Sequence, residues 1–322
     1  MKTFTVTLRE TLAAELRRDP AVLLMGEDIG AYGGAFGVTK GLLAEFGPER
    51  IRDTPISEQA LVGTAIGAAA AGLRPVVEIM FMDFITLAVD QLANLAAKLS
   101  YIYRLPCPVV VRAPTGGGRG YGATHSQCLE RLFTGIPGLH IAAPSDAADA
   151  SGLLQTAIRG ASPVLFLEQK LLYPLRWPLG DALPPPVPFG RARVTHSGDA
   201  VTLVAWSHMA HLCLAAARNL AAEGIGAEVV DLRTLAPLDT DTVVAAARKT
   251  GRVLLVEEGP VTGGFSAEVA ARIFEATYDS LDAPIRRLAG PDCPVPASKT
   301  LEAACIPDTT AIIAAARALA NA

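Results

Sequence analysis

The chain has 322 residues, 51% hydrophobic and 19% charged, a balance that excludes intrinsic disorder and allows two ordinary domains, each with its own core. A formal net charge of −4 without a basic run excludes a surface built for polyanions, and charges interrupt the apolar runs often enough that no membrane-spanning segment is expected. Five cysteines (Cys107, Cys128, Cys213, Cys293 and Cys305) show no CxxC spacing, so they are read as reduced packing residues, not a disulfide framework or a zinc site.

The amino-terminal stretch MKTFTVTLRETLAAELRRD mixes acids with bases and has no uninterrupted apolar region, so it does not read as a secretory signal, and a cytoplasmic protein is expected. Leu8, Leu12 and Leu16 fall at helical spacing within Thr7 to Arg18, and Ala21 to Met25 is a short apolar run suited to a buried strand. Glu27 and Asp28 follow at the strand's carboxyl end, where open α/β sheets gather ligands. The next stretch, GAYGGAFG, is a loop able to approach a ligand or partner closely, without the GxGxxG spacing of a dinucleotide site.

Thr54 to Gly72, TPISEQALVGTAIGAAAAG, places one acid, Glu58, at the head of a helix whose only polar side chain from Leu61 to Ala71 is Thr64. With no water-facing stripe, this helix is expected to be buried on all sides. Glu58 has two readings, a carboxylate capping its own helix and a buried carboxyl that holds a proton for chemistry.

Arg74 to Ile79 reads as a strand and Asp83 to Tyr103 as one long helix, with Asp90, Asn94 and Lys98 four apart along a face that is either solvated or a subunit contact. A strand at Cys107 to Arg112 runs into APTGGGRGYGATHSQ, whose glycines fold around something and end at His125. That histidine is either structural or a ligand-facing group at a strand's carboxyl end. The loop lacks the GK[ST] ending of a phosphate-binding P-loop. Strands at Leu139–Ala143 and Pro163–Glu168 flank a helix from about Ser145 to Arg159, and the βαβα alternation implies a mainly parallel sheet covered on both faces. The segment 178–190, with prolines at 178, 184, 185, 186 and 188, reads as a stiff linker between a domain at 1–177 and a smaller α/β domain at 191–322. In the latter, His208 and His211 are three apart but lack a nearby Cys or acid, which favours a structural role over a metal site.

MGEDIG, GGAFGVTKGL, RIRDTPISEQALVGTAIGAAAAGLRPVVE, DQLANLAAK, GGGRGYGATHSQ and IPGLHIAAPSDAADASGLL together resemble the β subunit of the E1 component of 2-oxo acid dehydrogenase complexes, over essentially the whole chain. The resemblance implies a thiamin diphosphate-binding fold, with a pyrimidine-binding domain followed by a transketolase C-terminal-like domain. It also implies an α2β2 heterotetramer with an E1 α subunit, and transfer of the acyl group to a lipoyl-bearing E2 acyltransferase. Carried over residue by residue, Glu58 is the acid that hydrogen-bonds N1′ of the aminopyrimidine and promotes loss of the C2 proton. Phe84 packs on the pyrimidine, Glu27 lies near the cofactor, and His125 serves the substrate-derived oxygen and acyl transfer. The GDG motif that holds Mg²⁺ and the diphosphate is absent, Gly198-Asp199-Ala200 being the nearest approach, so that half of the site is expected from the α subunit. The family also implies a structural K⁺ on main-chain carbonyls near Val109, Val110, Ala157, Gly160 and Ser162. FLEQKLLY and Asp83-Phe84 look closer to acetoin and branched-chain types than to the pyruvate type. A stand-alone transketolase-like or acyloin-forming partner, and a non-catalytic assembly module, are the alternative readings, the last disfavoured by the presence of both Glu58 and His125.

Overall fold

In the computed structural model, which describes residues 1–322, Phe4–Arg18 forms the first helix. The Thr3 side chain accepts the Val6 N–H at 3.1 Å and caps it, and Leu8, Leu12 and Leu16 form its buried stripe. That stripe packs against the helix Ala147–Arg159, where Thr11 and Ser151 share a 2.8 Å hydroxyl bond and Glu15 pairs with Arg159 at 2.6 Å. The chain divides into two compact units, Met1–Thr115 with Leu132–Phe189, and Gly116–Arg131 with Gly190–Ala322.

In the first unit the strands lie in the order His140–Ala142, Val164–Gln169, Val110–Thr115, Arg74–Glu78, Val22–Gly26, Ile51–Asp53, every pair parallel. The residues of the four central strands, Val164–Gln169, Val110–Thr115, Arg74–Glu78 and Val22–Gly26, are almost wholly buried, which is why they read as continuous apolar runs and not as alternating ones. The second unit has a five-stranded sheet, Arg286–Gly290, Val253–Pro260, Val201–Ala205, Ala227–Asp231, Arg193–His196, with the last strand antiparallel at the edge. Helices Ser207–Ala222 and Thr309–Ala320 bring Cys213, Ala216, Ile312 and Ala316 onto it as a separate core.

Several expectations are corrected. The segment expected to form one helix from Asp83 to Tyr103 is a 3₁₀ turn at Met82–Ala88, a π-helical stretch at Gln91–Ala96 and a short α-helix at Ala97–Tyr103. Asp90 and Asn94 still meet, at 2.7 Å, and Lys98 reaches the Pro137 carbonyl at 2.8 Å. The Glu58 helix, Glu58–Ala70, is not buried all round in this chain, because Gln59, Ala60, Thr64 and Gly67 form an exposed stripe. Residues 178–190 do not run free between units: Gln155 and Thr156 donate to the Pro184 and Val187 carbonyls at 2.8 and 2.7 Å, laying the prolines along the 147–159 helix. Gly116–Arg131, placed with residues 1–177 by chain order, groups with the second unit, because Gly117, Gly118 and Gly120 donate to Glu258 and Glu302. The second unit also carries the edge strand Arg193–His196 and the helix Lys299–Cys305. Lys299–Ala320 is long and apolar enough by composition to cross a membrane, against the expectation of none, but Pro307 divides it into two helices of 7 and 12 residues.

Candidate active site

In the first unit, strand Val22–Gly26 ends at Glu27, where Asp28 takes a left-handed φ of 54° and turns the chain out of the sheet. Gly30 N–H donates to Asp53 at 2.6 Å, tying the loop to the end of the neighbouring strand. Gly34, at φ 80°, comes so close to Glu78 that an added Cβ would lie 2.8 Å from its carboxylate. The loop is thus held over the carboxyl ends of the strands. Glu58 opens the next helix and is only 4% exposed between exposed Ser57 and Gln59. Ser57, the residue before this helix, makes no side-chain cap bond.

Glu27 and Glu58 are brought together. Burial pushes the Glu27 carboxyl above the usual range, the charge of Glu58 pushes it further, and a hydrogen bond from the Ser57 N–H opposes both. Oε1 of Glu27 and Oγ1 of Thr54 are buried without a partner in the chain. Two acids and two unspent polar atoms at the mouth of a parallel sheet fit a ligand that brings its own hydrogen-bond donors and acceptors. Phe84 lies in the 3₁₀ turn that follows the Arg74–Glu78 strand, its N–H on the Phe81 carbonyl at 3.0 Å and its ring edge-on to Phe81 at 6.3 Å.

Beneath lies a charged cluster absent from the sequence reading. Arg112 holds Glu168 in a two-pronged pair at 2.6 and 2.8 Å and Glu78 at 2.5 Å, and Tyr173 donates to Glu168 at 2.7 Å. Two carboxylates share one guanidinium in the interior, and Glu78 is pushed up, by burial first and then by Glu168, against the pull of Arg112. The signal was an arginine and two glutamates inside strand-like apolar runs, where a charge is admitted only with a partner.

Three of the five carbonyls expected to hold K⁺, those of Val109, Ala157 and Gly160, already have donors. Val109 accepts from the Val164 N–H at 2.9 Å, Ala157 from the Gly160 N–H at 3.3 Å, and Gly160 from Arg74 at 2.8 Å, the same guanidinium donating to Ile158 at 2.9 Å. A potassium ion would have to use second lone pairs on these oxygens and share the Gly160 carbonyl with a fixed cation.

In the second unit the glycine-rich loop is moulded onto two carboxylates. Gly117 N–H reaches Glu258 at 2.5 Å, and Gly118 and Gly120 N–H reach the two oxygens of Glu302 at 2.8 and 2.7 Å. Gly116, Gly118, Gly120 and Gly122 all have φ between 74° and 89°, which side chains with a Cβ resist. The loop ends at half-buried His125, whose N–H donates to Gly122 at 3.2 Å and whose Nδ1 meets Thr124 Oγ1 at 3.0 Å. Next to it Ser126 is buried with an unpartnered hydroxyl, on the wall of a cavity of about 510 Å³ that Cys128, Arg131, Glu258 and Cys305 also line. Glu302 was missed because a lone acid in a C-terminal helix carries no local signal for a contact with a loop 182 residues away.

His208 and His211 stack with ring centroids 6.3 Å apart, and burial, then His211, lowers the His208 pKa to about 4. No group of three or more His, Cys, Asp or Glu side chains that could hold a metal ion forms in the chain.

Residues 1–176 match the family described as "Transketolase, pyrimidine binding domain" and residues 190–312 match "Transketolase, C-terminal domain". The chain is 44% identical over 315 residues to the mitochondrial pyruvate dehydrogenase E1 component subunit beta-1 of Arabidopsis thaliana, covering 96% of this chain and 87% of that one. It is 42% identical to the pyruvate dehydrogenase E1 component subunit beta of Rickettsia bellii, covering 96% of each. With the acetoin:2,6-dichlorophenolindophenol oxidoreductase subunit beta of Cupriavidus necator the identity is 44%, over 97% of this chain and 95% of the other. Among solved structures, a split-gene transketolase described as an inactive β4 tetramer superposes with a TM-score of 0.79 at 24% identity, covering 98% of this chain and 97% of that one, which speaks to the fold.

Proposed function

Because the chain belongs to the β subunits of thiamin diphosphate-dependent 2-oxo acid dehydrogenase E1 components, built from two transketolase-type domains, we propose that Glu58 is its cofactor-activating acid and that it works only with an α subunit. The observation that supports this reading is the buried Glu27–Glu58 pair with its unspent polar atoms at the strand ends. Thiamin diphosphate, when bound, supplies the carbon nucleophile and the electron sink for cleavage next to a carbonyl. Glu58 holds a proton at N1′ of the aminopyrimidine from a dry position at a helix head. Glu27, raised by burial and by Glu58, keeps a second carboxyl ready to take up the proton, so the pair avoids carrying two charges in one pocket. Phe84 offers the pyrimidine an aromatic wall, and His125 serves the substrate-derived oxygen and the transfer of the acyl group to lipoamide on an E2 partner.

This chain contains no GDG motif, so Mg²⁺ and the diphosphate are assigned to the α subunit, in an α2β2 heterotetramer. A 2-oxo acid or acetoin is the substrate, the two alternatives that the relatives' names carry. The chain alone should be inactive and gain decarboxylase activity on addition of its α partner; robust turnover by the isolated chain would end the half-site reading. In the reconstituted enzyme, Glu58→Gln should slow C2 proton exchange of the bound cofactor, read by NMR after acid quench. His125→Ala should leave that exchange near the parental rate while slowing a substrate-dependent step, each loss falling in the range of about 10²- to 10⁴-fold. Equal slowing of exchange by both substitutions would reverse the assignment.

A further inference from the structure

Cys293 and Cys305 lie in the second unit, at the rim of the cavity below the glycine-rich loop, with their sulfurs 3.8 Å apart. Cys293 is exposed on the segment that follows strand Arg286–Gly290, and Cys305 ends the helix Lys299–Cys305. We propose that these two thiols form a reversible disulfide that pins the Lys299–Cys305 helix to the 291–298 segment and thereby rigidifies the glycine-rich loop that carries His125. The sulfurs must approach by about 1.8 Å to reach bonding distance, a displacement that a side-chain rotation at an exposed cysteine supplies.

The route from the sulfurs to the loop is short. The helix that ends at Cys305 carries Glu302, which is 2% exposed and accepts the Gly118 and Gly120 amides on its two oxygens. Gly117 is pressed on the same helix end, since an added Cβ would lie 2.8 Å from Ile306 and 3.1 Å from Glu302. Gly290, at the start of the other segment, packs on the Cys305 carbonyl, which its added Cβ would meet at 3.0 Å. Fixing the helix therefore fixes the acceptor on which the loop hangs.

The oxidant is a hydroperoxide. The Cys293 thiolate attacks one peroxide oxygen, an S–O bond forms as the O–O bond breaks, and hydrogen peroxide leaves as water, giving a sulfenic acid. The Cys305 thiol then loses its proton and attacks the Cys293 sulfur, so that the S–S bond forms, the S–O bond breaks and a second water departs. Two thiols are oxidised by two electrons and the peroxide is reduced by two. The order follows from access: burial, the neighbouring Cys293 and Glu302 hold the Cys305 thiol above its ordinary range, so the exposed partner reacts first.

The test treats the full native chain with hydrogen peroxide. Two of its five thiols should be lost to titration, the intact mass should fall by two hydrogens, a non-reducing digest should join the peptides that hold Cys293 and Cys305, and dithiothreitol should reverse all three. Cys293→Ser and Cys305→Ser should each abolish the mass loss. Hydrogen exchange at Gly118 and Gly120 should slow severalfold in the oxidised chain and stay unchanged in the treated serine variants. Stable sulfinic acid at Cys293 with Cys305 still free would overturn the disulfide, and equal exchange in the two redox states would overturn its coupling to the loop.

Discussion

Arg112 is 1% exposed and faces Glu78 at 5% and Glu168 at 0%, so removing its charge strands two acids in the interior. Arg112→Met should cost about 3–5 kcal/mol of folding stability in urea denaturation, the range for breaking a buried pair, and a loss under about 1 kcal/mol would show that water reaches the cluster. Glu257 makes a prediction about pH. Burial, and then the charge of Glu130, raise its carboxyl to about 7 from an ordinary 4.5, despite hydrogen bonds from Ser266 and Phe265. A folded pKa above the unfolded one means that this contribution to stability is fully present below about pH 4.5 and is lost as pH rises through about 7. Glu257→Gln should therefore flatten the fall of melting temperature across that window. A slope identical to the parent's would place the titration elsewhere. Glu58, by contrast, stood out in the sequence alone, as a single acid before an apolar helix, whereas Glu302 had to be found by the amides that bind it.

At the level of elements, both ends of the helix Thr240–Thr250 are written in local chemistry. Asp239 accepts the Thr242 N–H and hydroxyl at 3.1 and 2.7 Å at one end, and Gly251 takes a left-handed φ of 65° at the other. Asp239 also accepts the Ala192 N–H at 2.9 Å, so one carboxylate anchors both the helix and the start of the edge strand. Asp239→Ala should cost about 1–2 kcal/mol by chemical denaturation, at the upper end for a cap, while an unchanged midpoint would show that the helix is held by packing alone. The segment Met82–Tyr103 lacks such markers. Its apolar residues fit a helical period, but which hydrogen-bond spacing each turn adopts depends on what it packs against, and the Glu58 helix and neighbouring strands set that.

Across the whole molecule, one stretch of the surface carries a run of exposed apolar side chains. Leu87, Leu95, Tyr101, Ile102, Tyr103 and Leu105 are exposed along the same stretch, and the small-residue stripe of the Glu58 helix is bare as well. The isolated chain should therefore sediment at micromolar concentration as a dimer or larger species, and a folded monomer under those conditions would refute the expectation.

The two-domain α/β class, the alternation of strands and helices and the family were legible in the residues, because parallel strands buried on both faces and glycine-rich turns write themselves locally as apolar runs and as positions intolerant of a Cβ. Glu58 and His125 were singled out for the same reason, each standing at the edge of such a run. What tertiary structure alone decided are the pairings between distant positions: Glu27 beside Glu58, Arg112 between two glutamates, Glu302 beneath the glycine loop and Cys293 beside Cys305. Side chains from separate strands and helices meet only after the sheet order is set, and no periodicity along the chain encodes which of many charges will be neighbours.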